Sequence, residues 1–311
     1  MLARTADSLY WLARYNERAG NIARSLSASL RMASLATMDG EEGEWRHLLR
    51  SSGTEPGFRG RYAEHSGQAS VEWLTIDTAN PSSIASCLEA ARRNARTVRT
   101  ALTVDMWEAV NDTWITLQRT GAEAVHDDGL PGFLDWVKSR TLAFSGAAAD
   151  TMLRDDAWRF THLGTMLERS DNTARLLDAR HAAFQSTDPA FNAQWQAVLR
   201  AVSAMRAYQY MYRTRLEPVR VAELLILRRE LPRSLRFCNA RVAQTLRDIA
   251  ADGTHPCGDC TELADSLRMR CDNRRIEDLV ALGLHGFLTA VINDNNRLGA
   301  EIARCFFSGG R

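Results

Sequence analysis

Apolar residues return along this chain with the period of a helix. From Leu12 they fall at Tyr15, Ala19, Ile22, Ala23, Leu26 and Leu30, the i, i+3, i+4, i+7 spacing of one helical face. From Pro81 a second stripe runs through Ile84, Cys87, Leu88, Ala91, Ala95, Val98 and Leu102. Asn80-Pro81 reads as an N-cap followed by proline at the first helical position. Further helical stretches are expected near 105–119, 131–145, 151–183, 190–213, 217–229, 232–251 and 275–307. Strand-type alternation is nearly absent. VEWLTID (71–77) fits a short strand or a connector. Residues 36–70 hold six glycines among many polar residues and read as a long flexible loop, with one short helix around 42–50. The fold class is all-α.

The chain also repeats itself. LARYNERAGNIARSL (12–26) returns as LGTMLERSDNTARLL (163–177), 151 positions later. The shared positions are Leu12/Leu163, Glu17/Glu168, Arg18/Arg169, Asn21/Asn172, Ala23/Ala174, Arg24/Arg175 and Leu26/Leu177. The same offset brings Pro81-Ser82-Ser83-Ile84 onto Pro232-Arg233-Ser234-Leu235 and Cys87 onto Cys238; GLPGFL (129–134) returns as GLHGFL (283–288). Three matches in one order, at nearly one offset, imply a duplicated helical unit. The expected architecture is a helical bundle of two units, 1–150 and 151–311, packed as one body about a pseudo-two-fold axis. Gly283 and Gly286 fall within an apolar run and are expected to serve helix packing. Cys87 and Cys238 sit on apolar stripes and read as buried small hydrophobes.

The repeated polar residues share one face. With Glu17 at zero on a helical wheel, Asn21 falls near about 40° and Arg24 near about −20°, opposite the apolar stripe. Arg14 falls near about 60°, and Arg18 and Arg169 on the shoulder. Three readings remain open: a solvated face, a buried Arg–Glu network, or a binding cleft. Recurrence of the same residues at the same four positions in both copies weighs for faces that meet. The candidate binding residues are therefore Glu17, Arg18, Asn21, Arg24, Glu168, Arg169, Asn172 and Arg175.

Composition narrows the function classes. The 311 residues carry 39 Lys+Arg and 38 Asp+Glu, a formal net charge of +1, so the basic surplus of a nucleic-acid binder is missing. No apolar run approaches the roughly 18 residues of a membrane span, and the N-terminus has no continuous apolar core of a secretory signal. A cytoplasmic location is expected. Nearly all the basic charge is Arg; Lys138 is the one lysine. Arg suits bidentate carboxylate and phosphate contacts. Six cysteines are too sparse for a disulfide scaffold. Cys257 and Cys260 form one CxxC, which reads as a turn built by Pro256 and Gly258 rather than a metal site.

The opening LARTADSLYWLARYNERAGNIAR resembles the bacterial alpha-E family, all-helical proteins named for a Glu-Arg motif. The resemblance continues at WLTIDTANPSSIASC (73–87), NARTVRTALTVDMWEAVN (94–111), GFLDWVKSR (132–140), TMLRDDAWRFTHLGTMLERSDNTARLLDAR (151–180) and LPRSLRFC (231–238). It identifies Glu17-Arg18 and Glu168-Arg169 as the motif. It also implies partners: a circularly permuted ATP-grasp protein and often a transglutaminase-like peptidase, hence peptide or amide-bond metabolism. It implies no catalytic residue.

The remaining chemistry is mostly negative. The chain has no phosphate-cradling glycine loop, no HExxH and no GxSxG. A helical di-iron site needs Glu-x-x-His on two helices plus two further carboxylates; Glu44-x-x-His47 has that spacing but lies in the loop-like segment 36–70. No cofactor is expected. His162 precedes Glu168 on the motif helix and reads as a partly buried histidine or an acid–base group. Two functions follow. In the first, the chain is a non-catalytic, substrate-holding partner of an ATP-grasp-type ligase, with an anionic or peptide ligand in a Glu/Arg/Asn cleft. In the second, it is an enzyme on the activated product, with Glu17 or Glu168 as general base.

Overall fold

In the computed structural model the described residues are 1–33, 40–120, 122–181, 184, 191–251 and 258–307. The two helices that carry the Glu-Arg strings, α1 (Ala3–Ala33) and α8 (Asp156–Asp178), lie against each other. Their contacts advance together: the amino terminus is 3.8 Å from Asp156, Tyr10 meets Gly164, and Arg14 and Arg18 reach Glu168. The helices therefore run parallel. Gly164 sets their separation. A Cβ there would stand 2.3 Å from the Tyr10 carbonyl oxygen, so only glycine fits. Asp155 caps α8, its carboxylate accepting from the backbone N–H groups of Ala157 and Trp158.

The other helices wrap this pair. α2 (Gly40–Ser51), α5 (Ile84–Thr97), α7 (Leu130–Thr151) and α9 (Phe191–Ala201) pack on α1; α12 (Leu235–Ala251) and α15 (Leu284–Ile302) pack on α8. α6 (Val104–Arg119) lies on α5 and α7, and α13 (Gly258–Met269) on α12 and α15. Shorter helices connect them: α3 (Glu55–Arg59), α4 (Gly67–Thr75), α10 (Met205–Tyr212), α11 (Pro218–Leu227) and α14 (Ile276–Ala281). A π turn, Ala303–Phe307, follows α15. The described residues contain no strand. One apolar core draws only on residues 19–137, including Leu26, Trp45, Leu49, Phe58 and Phe133. The larger core spans the chain, from Leu9 and Leu12 through Phe144, Phe160 and Leu163 to Leu225 and Phe306.

Several local expectations are corrected. The segment 36–70 is not a long loop. Its described part holds α2, α3 and the start of α4, and 34–39 fall outside the described residues. The short helix expected around 42–50 is present as α2, where Trp45, Leu48 and Leu49 form a buried i, i+3, i+4 face. VEWLTID is helical to Thr75: Ser66 caps α4, and Val71, Trp73 and Leu74 are buried. The N-cap of α5 is Ser83, whose hydroxyl accepts from the Ser86 N–H. Asn80 instead ties the preceding turn, donating to the Trp73 carbonyl and accepting from the Ser82 N–H. The 190–213 stretch breaks at Ser203, in the left-handed region at φ +56°. The 275–307 stretch breaks at Gly283, at φ +98°. A Cβ on Gly283 or Gly286 would meet nothing within 4 Å, so neither serves close packing. Cys257 lies outside the described residues, and Cys260 begins no turn: with Ala264 and Leu267 it forms the buried face of α13.

Candidate functional site

The parallel pairing of α1 and α8 makes the two Glu-Arg strings exchange partners. Arg18 donates to Glu168 through Nε (2.6 Å) and Nη2 (3.1 Å), and Arg169 donates through Nε to Glu17 (3.1 Å). Neither arginine serves the glutamate beside it in sequence, because adjacent helical residues point about 100° apart. Glu17 and Glu168 are 4% and 5% exposed. Ions so deeply buried persist only when paired.

Around Glu17 three arginines converge. Its Oε1 also accepts from Arg233 Nη1 (2.7 Å) and Arg24 Nη2 (3.2 Å). Both donors also reach the Asn21 Oδ1. Arg24 is buried, and burial together with the neighbouring Arg233 lowers its pKa below the ordinary arginine value. Burial alone would raise the Glu17 pKa, but Arg233, Arg169 and Arg24 outweigh it and hold the carboxyl at about 2.

Around Glu168 the arrangement is open on one side. Arg14 donates through Nε to Oε2 (2.8 Å) and through Nη1 to the Tyr10 hydroxyl (3.0 Å), with its guanidinium 5.0 Å from the Trp11 ring. Arg18 Nη1 reaches the Ser82 hydroxyl at 3.3 Å. Burial raises the Glu168 pKa; Arg18 and Arg14 override it and hold the carboxyl at about 2. In return Glu168 raises both guanidinium pKa values. Beside this pair lies a cleft of about 210 Å³. Its walls include Arg14, Arg18, Asp171, Asn172, Arg175 and the turn Ser51-Ser52-Gly53. Asn21 also lines it.

The eight sequence candidates thus divide. Glu17, Asn21, Arg24 and Arg169 form the closed network. Glu168 and Arg18 form the second ion pair, on the cleft. Asn172 and Arg175 line the same cleft without touching Glu168. Arg24 and Arg175 are therefore not a matched pair of anion anchors. Arg24 is held inside by Glu17 and Asn21, whereas Arg175 Nε donates to Asp171 Oδ2 at 2.7 Å. Two residues outside the candidate set prove essential to the geometry. Arg14 was visible on the α1 wheel. Arg233 stands in the turn before α12, where the first copy has Ser82, and its sequence signal was that difference.

Other groups are occupied elsewhere. His162 stacks on Trp158 at 4.6 Å and 12°; burial and the positive charge of Arg169 push its pKa down to about 4, so it is neutral. Cys87 and Cys238 are fully buried, and burial pushes both thiols up to about 12. The Glu44 carboxylate accepts from Arg180 at 2.7 Å and from Ser29 at 2.6 Å. Among the described residues, ligand atoms of Asp178, His181 and His285 lie within 4.8 Å of one another, as do those of Cys260, Glu301 and Cys305. His285 Nδ1 is 2.6 Å from Asp178 Oδ1, and Cys305 is disulfide-bonded. No helix among the described residues is long and apolar enough to cross a membrane.

Comparison with known proteins agrees with the motif geometry. Uncharacterized proteins of Mycobacterium bovis and Mycobacterium tuberculosis are each 26% identical over 324 residues, covering 93% of this chain and 35% of the relative. The chain thus spans about a third of the length of these curated relatives. No solved structure matches it significantly. The model of a family described as a predicted alpha-helical domain with a conserved ER motif matches residues 1–307. With that match over nearly its whole length, and Glu17-Arg18 and Glu168-Arg169 clasping each other across α1 and α8, the chain belongs to the Alpha-E family.

Proposed function

We propose that this chain is the non-catalytic, ligand-holding component of an ATP-grasp-type peptide or amide ligase system. Its cleft beside Glu168 holds an anionic or peptide ligand. The observation that carries the reading is the cleft itself: polar groups of α1 and α8 converge there, and the Asn21 and Asn172 Nδ2 atoms are buried without a hydrogen-bond partner. Buried polar atoms are nearly always paired, so unpaired ones at a cleft favour a ligand that completes them. The ATP-grasp association rests on the family resemblance. The relatives' greater length leaves room for a fused catalytic unit.

The duplication belongs to the same reading. Two 150-residue units about a pseudo-two-fold axis would place each Glu opposite the other unit's Arg, as in the Arg18–Glu168 and Arg169–Glu17 pairs. Helix spans also recur at nearly one offset, as in α2 and α9, α4 and α11, or α5 and α12. So do two tight turns. Gly53 and Thr54 donate to the Arg50 and Leu49 carbonyls; Ser203 and Ala204 donate to those of Arg200 and Leu199.

A general-base role for Glu17 or Glu168 is disfavoured by their surroundings. A useful base titrates near the working pH, whereas both carboxyls are held at about 2 and committed to arginines. The test is reconstitution. The circularly permuted ATP-grasp protein is assayed for amine-dependent ADP release with and without this chain. Turnover that needs the chain, and falls with Arg18→Ala, supports the proposal. Full turnover without it, or turnover by this chain alone, overturns it.

A further inference from the structure

The cleft beside Glu168 presents unmet groups of both signs, and this decides what fits it. Arg14 and Arg18 both donate to the Glu168 carboxylate they share, which holds their guanidinium groups in place. Arg175 is different. Its Nε is held by Asp171 Oδ2, which fixes the plane of the guanidinium, while its Nη groups make no hydrogen bond. Nη1 lies beside Gly53, 3.5 Å from where a Cβ would stand, so the glycine keeps the approach open. An Arg fixed at Nε with free Nη donors is a ready receptor for a carboxylate. Next to it the Asn172 Nδ2 has no hydrogen-bond partner among the described residues, and Asn21, 3% exposed, likewise leaves its Nδ2 unmet.

The same cleft holds an unmet acceptor. Asp171 Oδ1 is buried without a partner, although Oδ2 of the same carboxylate is taken. A simple anion would satisfy Arg175 and the amides but would face this oxygen. A simple cation would satisfy Asp171 and face three arginines. A ligand with an ammonium and a carboxylate on one carbon meets both sets. A volume of about 210 Å³ suits a group of that size.

The neighbouring network shows why the space exists. Arg233 sends its guanidinium onto Glu17 and Asn21, whereas Ser82, at the matching place in the repeated string, leaves the Glu168 side open. We propose that the cleft binds the zwitterionic backbone of an α-amino acid, with the carboxylate on Arg175 and the amides of Asn21 and Asn172, and the ammonium on Asp171. This deepens the ligand-holding reading and rests on it. Ile22 is the one apolar residue lining the cleft, so the side chain of the amino acid points outward and is weakly discriminated.

Isothermal titration of the full chain tests this with four probes: L-alanine, N-acetyl-L-alanine, L-alaninamide and inorganic phosphate. L-Alanine is expected to bind, and each blocked form at least tenfold more weakly. Arg175→Gln should weaken L-alanine at least tenfold. Asp171→Asn should weaken L-alanine while leaving N-acetyl-L-alanine unchanged. Ser82→Arg, which fills the cleft from another element, should abolish binding and keeps the test decisive if an α8 variant melts. If phosphate or N-acetyl-L-alanine binds as tightly as L-alanine, and Arg175→Gln removes it, the zwitterion is overturned while a ligand-holding cleft stands. If no probe binds, the inference is overturned, and the reconstituted ligase assay alone decides the broader reading.

Discussion

Glu17 and Glu168 occupy matching places in two repeated strings, and each is paired with the motif arginine of the other helix, yet their surroundings differ. Glu17 takes three guanidinium groups. Glu168 takes two, and a cleft opens beside it. The difference traces to a few side chains. Arg233 fills one side where Ser82 leaves the other vacant, and Asp171 draws Arg175 away from Glu168, where Gly20 leaves Arg24 free to reach Glu17. A few side-chain differences between the two strings thus separate a three-arginine network from an ion pair beside a cleft.

The sharpest way to break this comparison is to remove each carboxylate. Glu17→Ala leaves Arg24, Arg169 and Arg233 without their shared anion, and unfolding in urea should show a loss of about 3–5 kcal/mol. Glu168→Ala leaves two arginines beside a water-accessible cleft, and a loss of roughly 1–3 kcal/mol is expected. Equal losses would mean that the two sites are energetically alike.

Acid should act on both at once. Each folded carboxyl is held at about 2, below its ordinary value of 4.5, so the unfolded chain takes up the protons first as pH falls. Their contribution is complete above about pH 4.5 and drains away toward pH 2. The Tm by calorimetry should fall through that window, and less steeply in Glu17→Ala than in the parent. Gly164→Ala forces α1 and α8 apart at the Tyr10 carbonyl and should cost about 1–3 kcal/mol by the same urea measurement. The smallest stability change is expected for Ser82→Arg, about 1 kcal/mol, because its side chain enters existing space while its charge meets Arg14, Arg18 and Arg175. A large loss of stability there would show that the cleft is not free to be filled.

The helical fold and the Glu-Arg helices were legible because both depend on short-range pattern. Leu12, Ile22 and Leu26 mark the face of α1 directly, and the string 163–177 repeats it. The exchange of partners was not legible, because a helical wheel describes one helix and Arg18 serves a glutamate 150 residues away. Arg233 was overlooked for a related reason: comparing repeats draws attention to identities, and it is a difference. Within 36–70 the helix around 42–50 was legible, but α3 and the start of α4 are too short and polar to show, and nothing in the sequence says that the buried Glu44 pairs with Arg180.

That Glu44–Arg180 pair has a kinetic consequence. It fastens α2 to the end of α8, with both partners buried, and the last turn of α2 forms one lip of the cleft. Swinging that lip aside would strand two charges in the interior. A ligand held as proposed would therefore enter a doorway of fixed width. In stopped-flow mixing, its observed association rate should rise linearly with concentration, without the plateau that a gating step imposes.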